Sequence, residues 1–129
     1  MNKAKPILRI MLGLALLVFG LNKFFGYMPA PELPEQAQSL MGAMSQSGYL
    51  MQFVGLTETV VGILLLSGFF VPLALVIFMP VSLNIIAFHL FLAPGGILPG
   101  LIIFLLNLVL MFLYLPAYRP LLRPKPVEA

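Results

Sequence analysis

Ten polar residues, Asn22, Lys23, Gln52, Thr57, Glu58, Thr59, Ser82, Asn84, His89 and Asn107, interrupt the long apolar segments of this chain. Three of them have the chemistry for proton exchange. Glu58 can take up and release a proton, Lys23 can balance its charge, and His89 is the one histidine in the sequence. Histidine is the side chain whose ordinary titration falls near neutral pH. A carboxyl group beside a cation and an imidazole can move protons to and from a bound molecule. The amides of Asn22, Asn84 and Asn107 both donate and accept hydrogen bonds, so they are candidates for holding such a molecule.

The spacing around Glu58 gives it a direction. Gly48, Gly55 and Gly62 recur every seven residues, and at about 100° per residue Gly55, Glu58, Thr59 and Gly62 share one helical stripe. Small residues at such intervals let membrane helices approach closely, which turns Glu58 toward other helices and away from lipid. Arg9, Gly13, Gly20 and Lys23 repeat the device near the N-terminus. The two glycine stripes are expected to face each other or a shared cavity.

Each residue also has a plainer reading. Glu58 can be half of an ion pair with Lys23 or His89 that only fixes helix register. A lysine near a helix end can reach the interface as an anchor. His89 can be an interfacial hydrogen bonder. Met28, Met41, Met44 and Met51 are read as packing residues, since thioethers fill apolar gaps far more often than they bind metal.

The elements that must position these residues follow from composition. The chain has 129 residues, 61% of them hydrophobic and 9% charged, with a mean hydropathy of +1.09. A soluble domain carries about 25% charged residues. Apolar runs at about 7–25, 50–71, 73–93 and 97–115 each approach the roughly 20 residues that cross a bilayer core. These spans use nearly the whole length, so residues 1–129 are read as one membrane domain. Zero cysteines exclude dithiol chemistry, an iron–sulfur cluster and a thiolate metal site, and one histidine excludes a bis-histidine haem within one chain. No metal site is expected. The seven basic residues sit at the ends of apolar segments, a membrane-topology pattern with no nucleic-acid partner implied.

Lys3, Lys5 and Arg9 precede or open the first span, and Arg119, Arg123 and Lys125 follow the fourth, whereas the first connection carries Glu32 and Glu35. The positive-inside rule then puts both termini in the cytoplasm, with four spans in what is expected to be a bacterial inner membrane. The first apolar run has no small-x-small cleavage site after it and is read as a retained helix. Tyr27, Tyr49, Tyr114 and Tyr118 fall at span ends, where an amphipathic ring is well solvated.

Pro29, Pro31 and Pro34 stop the first helix, and Ala37, Leu40, Met41 and Met44 then form the apolar face of a short amphipathic helix over about 34–46. It is expected on the outer membrane surface, over the bundle mouth, or both. The two later connections are short, so the expected fold is all-α: a polytopic four-helix bundle running up and down.

By helix rise, Glu58 and Asn84 lie about 12 Å below the outer surface, Lys23 and His89 nearer it and Asn107 slightly deeper. Polar groups of all four spans are thus expected in the outer half, with Phe24, Phe53, Phe88 and Phe91 lining a small-molecule pocket. Asn84 and His89 differ by five positions, about 140° around a helix, so they share one face only if Pro80 distorts the third span.

The residues resemble the DoxX family of small four-helix membrane proteins. The resemblance is carried by Leu8-Arg9-Ile10-Met11-Leu12-Gly13, Phe19-Gly20-Leu21-Asn22-Lys23-Phe24-Phe25-Gly26 and Ser47-Gly48-Tyr49-Leu50. It continues through Glu58-Thr59-Val60-Val61-Gly62-Ile63-Leu64-Leu65-Leu66-Ser67-Gly68, Val71-Pro72-Leu73-Ala74 and Asn84-Ile85-Ile86-Ala87-Phe88-His89-Leu90-Phe91. It implies a four-span bundle and an oxidoreductase role, the family name coming from a subunit of a thiosulfate:quinone oxidoreductase. Many members look instead like accessory or assembly subunits.

Three readings follow. In the first the chain is a subunit of a quinone-linked membrane oxidoreductase, with Glu58, His89 and Lys23 handling protons and Asn22, Asn84 and Asn107 binding a small apolar redox molecule. In the second it is a non-catalytic assembly factor whose glycine stripes hold a membrane or redox partner subunit or a second copy of itself. The third is a small proton-coupled transporter. The four-span multidrug exchangers of that kind carry their acid in the first helix, whereas Glu58 is in the second span.

Overall fold

The structure, a computed structural model, describes residues 3–29 and 32–126. Among the described residues, four helices are long and apolar enough to cross a bilayer. The first, α1, is Ala4–Phe25; α3 is Leu50–Ser67, α4 is Val71–Phe91, and α5 is Ile97–Leu113, entered through a 3₁₀ turn at Pro94–Gly96. Between α1 and α3 lies α2, Glu35–Gln46, and after α5 come the one-turn helix α6, Leu115–Tyr118, and a 3₁₀ turn at Arg119–Leu122. No strand occurs among the described residues. The chain is an all-α integral membrane protein.

The ends of the spans follow local chemistry. Gly26 closes α1 at φ 62° and Gly68 closes α3 at φ 83°, left-handed positions that a glycine adopts without Cβ strain. The α3–α4 turn also holds Phe70 at φ 56°, and Pro72 then opens α4 where a missing N–H costs nothing. These turns end the second span at Ser67 and start the third at Val71, slightly earlier than hydropathy alone places them. Ser47 accepts a hydrogen bond from the Leu50 amide at 3.0 Å and so caps α3 from outside it.

The α2 helix begins at Glu35 with Pro34 as its N-cap and rests on α3 through fully buried Ala37. Leu40, expected on the inner face, is exposed. Of the prolines read as stopping α1, Pro31 lies outside the described residues.

The spans form a ring in which α1 packs on α3, α3 on α4, α4 on α5 and α5 back on α1. Neighbours are antiparallel, as short connections require. The core is a continuous cluster of Leu12 and Leu16 from α1, Val61 and Leu65 from α3, Val71, Ala74, Leu75 and Phe78 from α4, and Ile103 and Leu110 from α5. It fills mainly the half of the bundle where both chain ends meet. At that end Lys5 Nζ lies 4.5 Å from the centre of the Tyr114 ring, and the Tyr118 hydroxyl donates to the Pro72 carbonyl at 2.6 Å.

Candidate functional site

The two glycine stripes do face each other, and they determine how α1 meets α3. A Cβ on Gly13 would stand 3.2 Å from the Gly62 carbonyl oxygen, and one on Gly20 would stand 2.5 Å from Thr59 Oγ1 and 2.9 Å from the Gly55 carbonyl oxygen. Backbones this close leave room for nothing larger than hydrogen. Thr59 turns its hydroxyl to its own helix, donating to the Gly55 carbonyl at 2.7 Å, so the seam has no loose donor there.

A cation closes each end of this seam. Arg9 Nη1 donates to the Leu65 carbonyl at 2.5 Å, among the last carbonyls of α3, where the helix leaves its acceptors free and the dipole favours positive charge. Toward the other end, Lys23 Nζ lies 2.5 Å from Glu58 Oε1. The Lys23 stem crosses Gly55, whose missing Cβ would fall 2.9 Å from Lys23 Cβ. Gly55 therefore makes the space that lets the lysine reach the acid. Glu58 is 3% exposed, so the pair is an ion pair inside the protein, partly open on the lysine side.

The other polar residues singled out in the sequence lie elsewhere. His89 Nδ1 is 2.9 Å from the Ile85 carbonyl of its own helix, and its ring meets Phe88 edge to face. It packs beside Gly96 and Gly100, in the seam between α4 and α5, whereas Lys23 and Glu58 occupy the seam between α1 and α3. Asn22 Oδ1 accepts from the Met28 amide at 2.8 Å and orders the turn after α1. Asn84 is exposed on the outside of α4. Asn107 is fully buried and donates to the Leu75 carbonyl at 3.2 Å, tying α5 to α4. Phe53 and Phe91 are 61% and 80% exposed, so the four phenylalanines do not enclose a common pocket. An apolar groove of about 210 Å³ runs instead between α3 and α4, lined by Leu56, Thr57, Val60, Val61, Leu64 and Ile77.

The order of these residues along the chain agrees with a known family. The DoxX family model matches residues 4–93, which takes in α1 through α4 and both partners of the ion pair.

The chain belongs to the DoxX family.

No curated protein and no solved structure matches it. The DoxX match ends just beyond α4, so Asn107 and the rest of α5 fall outside the matched residues. Within the match lie all four stripe glycines that interlock at the α1–α3 seam, together with Arg9, Lys23 and Glu58. Ser82, one of the ten polar residues in the apolar segments but given no role by the sequence, is fully buried on α4. Its signal was available: it lies four positions after Phe78 and seven after Leu75, on the core stripe of its helix.

Proposed function

We propose that this DoxX-family protein is a subunit of a quinone-linked membrane oxidoreductase in which Glu58, paired with Lys23, exchanges protons with a small apolar redox molecule. The observation that carries the reading is the ion pair itself. An acid inside a membrane-spanning helix is costly to keep and marks a functional position by default. Here it is held by a lysine whose access depends on a dedicated glycine, and the lysine side of the pair is partly exposed. Lys23 can swing away when Glu58 takes up a proton and return when it is released. The groove between α3 and α4 offers an apolar ring a seat on the same helix as Glu58. His89 acts from the opposite seam of the ring, toward the same end of the bundle. In this reading Asn22, Asn84 and Asn107 serve as hydrogen-bonding contacts along the path of the molecule.

With no cysteine in the sequence there is no dithiol to store an electron pair. Electrons must pass through a bound cofactor or a partner subunit. The protein therefore works beside a redox partner, in a bacterial inner membrane with both termini on the cytoplasmic side.

A second reading, a non-catalytic assembly factor, is favoured by the symmetry of the α1–α3 seam. Arg9 and Lys23 close its two ends alike, and a clasp of that kind needs no chemistry. Purification in mild detergent separates the readings. The oxidoreductase reading expects a quinone in the organic extract and quinol oxidation by the native membranes that falls in Glu58→Gln. A co-purifying subunit with no extractable quinone and unchanged oxidation in Glu58→Gln would overturn it.

A further inference from the structure

The end of the bundle where both chain ends meet concentrates positive charge. Six of the seven basic residues lie there, Lys3, Lys5, Arg9, Arg119, Arg123 and Lys125. Of the acids, Glu32 and Glu35 lie at the opposite end, Glu58 pairs with Lys23 inside its span, and Glu128 lies outside the described residues. Two of the six cations are engaged within the protein, Arg9 on the Leu65 carbonyl and Lys5 over the Tyr114 ring. Arg119, Arg123 and Lys125 are exposed and form no ion pair among the described residues.

Contacts hold this segment at the bilayer boundary. Tyr118 is buried, and its hydroxyl donates to the Pro72 carbonyl at 2.6 Å, so the chain leaving α5 is pinned to the first turn of α4. The 3₁₀ turn Arg119–Leu122 follows at once. A rise of about 2 Å per residue keeps Leu121 and Leu122 within about 8 Å of that pin. Pro124 then holds Arg123 extended, at φ −72° and ψ 137°, and ends the turn. Leu121 and Leu122 are 77% and 69% exposed, and Phe69 and Phe70, just before α4, are exposed as well. Arg9 reaches the same connection, its Nη1 lying 3.1 Å from where a Cβ on Gly68 would stand. Exposed apolar side chains and unpaired cations thus meet just beyond the ends of the spans.

We propose that the segment 119–125 is an anchor for anionic phospholipid, with Leu121 and Leu122 among the acyl chains and Arg119, Arg123 and Lys125 on headgroup phosphates. Apolar burial and attraction to anionic lipid together hold such segments in the interface. The charge is complementary, since this end carries six cations and no described acid. Arginine suits the headgroup because its planar guanidinium bonds phosphate oxygens in pairs. Each cation near an anionic surface strengthens attachment about fivefold. The inference stands whether or not the protein acts on a quinone, and on whichever side of the membrane this end lies.

The sequence contains no tryptophan, so Leu122→Trp places a single fluorescent reporter in the full chain. The variant is reconstituted in vesicles of phosphatidylcholine and phosphatidylglycerol in equal parts, with bromine on the acyl chains of one lipid or the other. The emission is expected to be blue-shifted and quenched more strongly by brominated phosphatidylglycerol. Changing Arg119, Arg123 and Lys125 to Gln in the same chain is expected to abolish that preference. Phe91→Trp, at the far end of α4, is expected to be quenched equally by the two lipids. Water-like emission from Leu122→Trp, equal quenching there, a preference that survives the glutamines, or the same preference in Phe91→Trp would each overturn the proposal. Sodium phosphate, compared with sodium chloride at matched ionic strength, is expected to leave the preference in place. Its loss in phosphate alone would assign the cations to free phosphate and overturn the lipid anchor.

Discussion

Arg9 and Leu65, 56 residues apart, join the first helix to the third by one charged hydrogen bond from Nη1 to a backbone carbonyl. The donor remains charged and the acceptor is among the last carbonyls of α3, so the contact acts as a helix cap supplied from another helix. Arg9→Met keeps much of the apolar stem and deletes the guanidinium. Its expected cost is about 1.5–3 kcal/mol, the range for hydrogen bonds to charged groups, measured by thermal unfolding in detergent. Unfolding at the parent temperature would show that water caps α3 equally well.

The glycine seam predicts an order of sensitivity to a single methyl group. A Cβ at Gly20 meets Thr59 Oγ1 at 2.5 Å and the Thr59 amide nitrogen at 2.7 Å, at Gly13 its nearest neighbours are at 3.0–3.2 Å, and at Gly95 it meets nothing within 4 Å. Gly20→Ala should therefore destabilise most, by about 1–3 kcal/mol as overpacking does, Gly13→Ala less and Gly95→Ala least. Equal unfolding temperatures for the Gly20 and Gly95 variants would contradict the seam.

For the ion pair a double-mutant cycle is decisive. Glu58→Gln leaves Lys23 without its partner, and Lys23→Met leaves Glu58 buried alone. Removing one member of a buried pair costs about 3–5 kcal/mol, and the lysine variant should lose more because Glu58 is the deeper group. The double variant should regain much of the stability but none of the activity if Glu58 carries protons. Recovery of activity together with stability would reduce the pair to a clasp.

Tyr118 predicts an alkaline limb. Burial, with a smaller contribution from neighbouring Tyr114, pushes its phenol from 10.0 up to about 12. Between those values the unfolded phenol has lost its proton while the folded one keeps it, so stability falls as pH rises through that window. Tyr118→Phe should flatten this decline. At neutral pH it should cost about 0.5–1.5 kcal/mol for the lost bond to Pro72. An unchanged alkaline slope in thermal unfolding would reject the assignment.

Membrane orientation is open to direct labelling. With both termini cytoplasmic, a cysteine at Ala4 should be shielded from an impermeant thiol reagent in intact cells and one at Gln38 should react. Labelling at Ala4 with protection at Gln38 would invert the topology.

Much of the architecture was legible because helices in lipid announce themselves by length and hydropathy, and because glycine at seven-residue intervals has few explanations besides close packing. Gly13, Gly20, Gly55 and Gly62 read correctly as facing stripes from spacing alone. The grouping of polar residues was less legible. Depth along a helix can be counted, but azimuth decides what a side chain meets. Asn84 lies near the depth of Glu58 yet faces outward, while Ser82, two residues earlier and about 200° around the helix, faces the core. His89 is drawn into the α4–α5 seam by the space beside Gly96 and Gly100, glycines that form no seven-residue stripe to mark them as a packing site. Phe53 and Phe91 were grouped by depth in the same way and face outward.

The tightest helix pair in the bundle joins helices that are not consecutive, with α2 emerging between them. Synthesis runs from the N-terminus, so Lys23 leaves the ribosome before Glu58 does. Until α3 arrives, the lysine's ammonium must stay at the membrane surface, and α1 has no groove in which to seat its glycines. Completion of α3 thus supplies the counter-charge and the packing surface together, making entry of the third helix the moment at which the first one commits to its final depth.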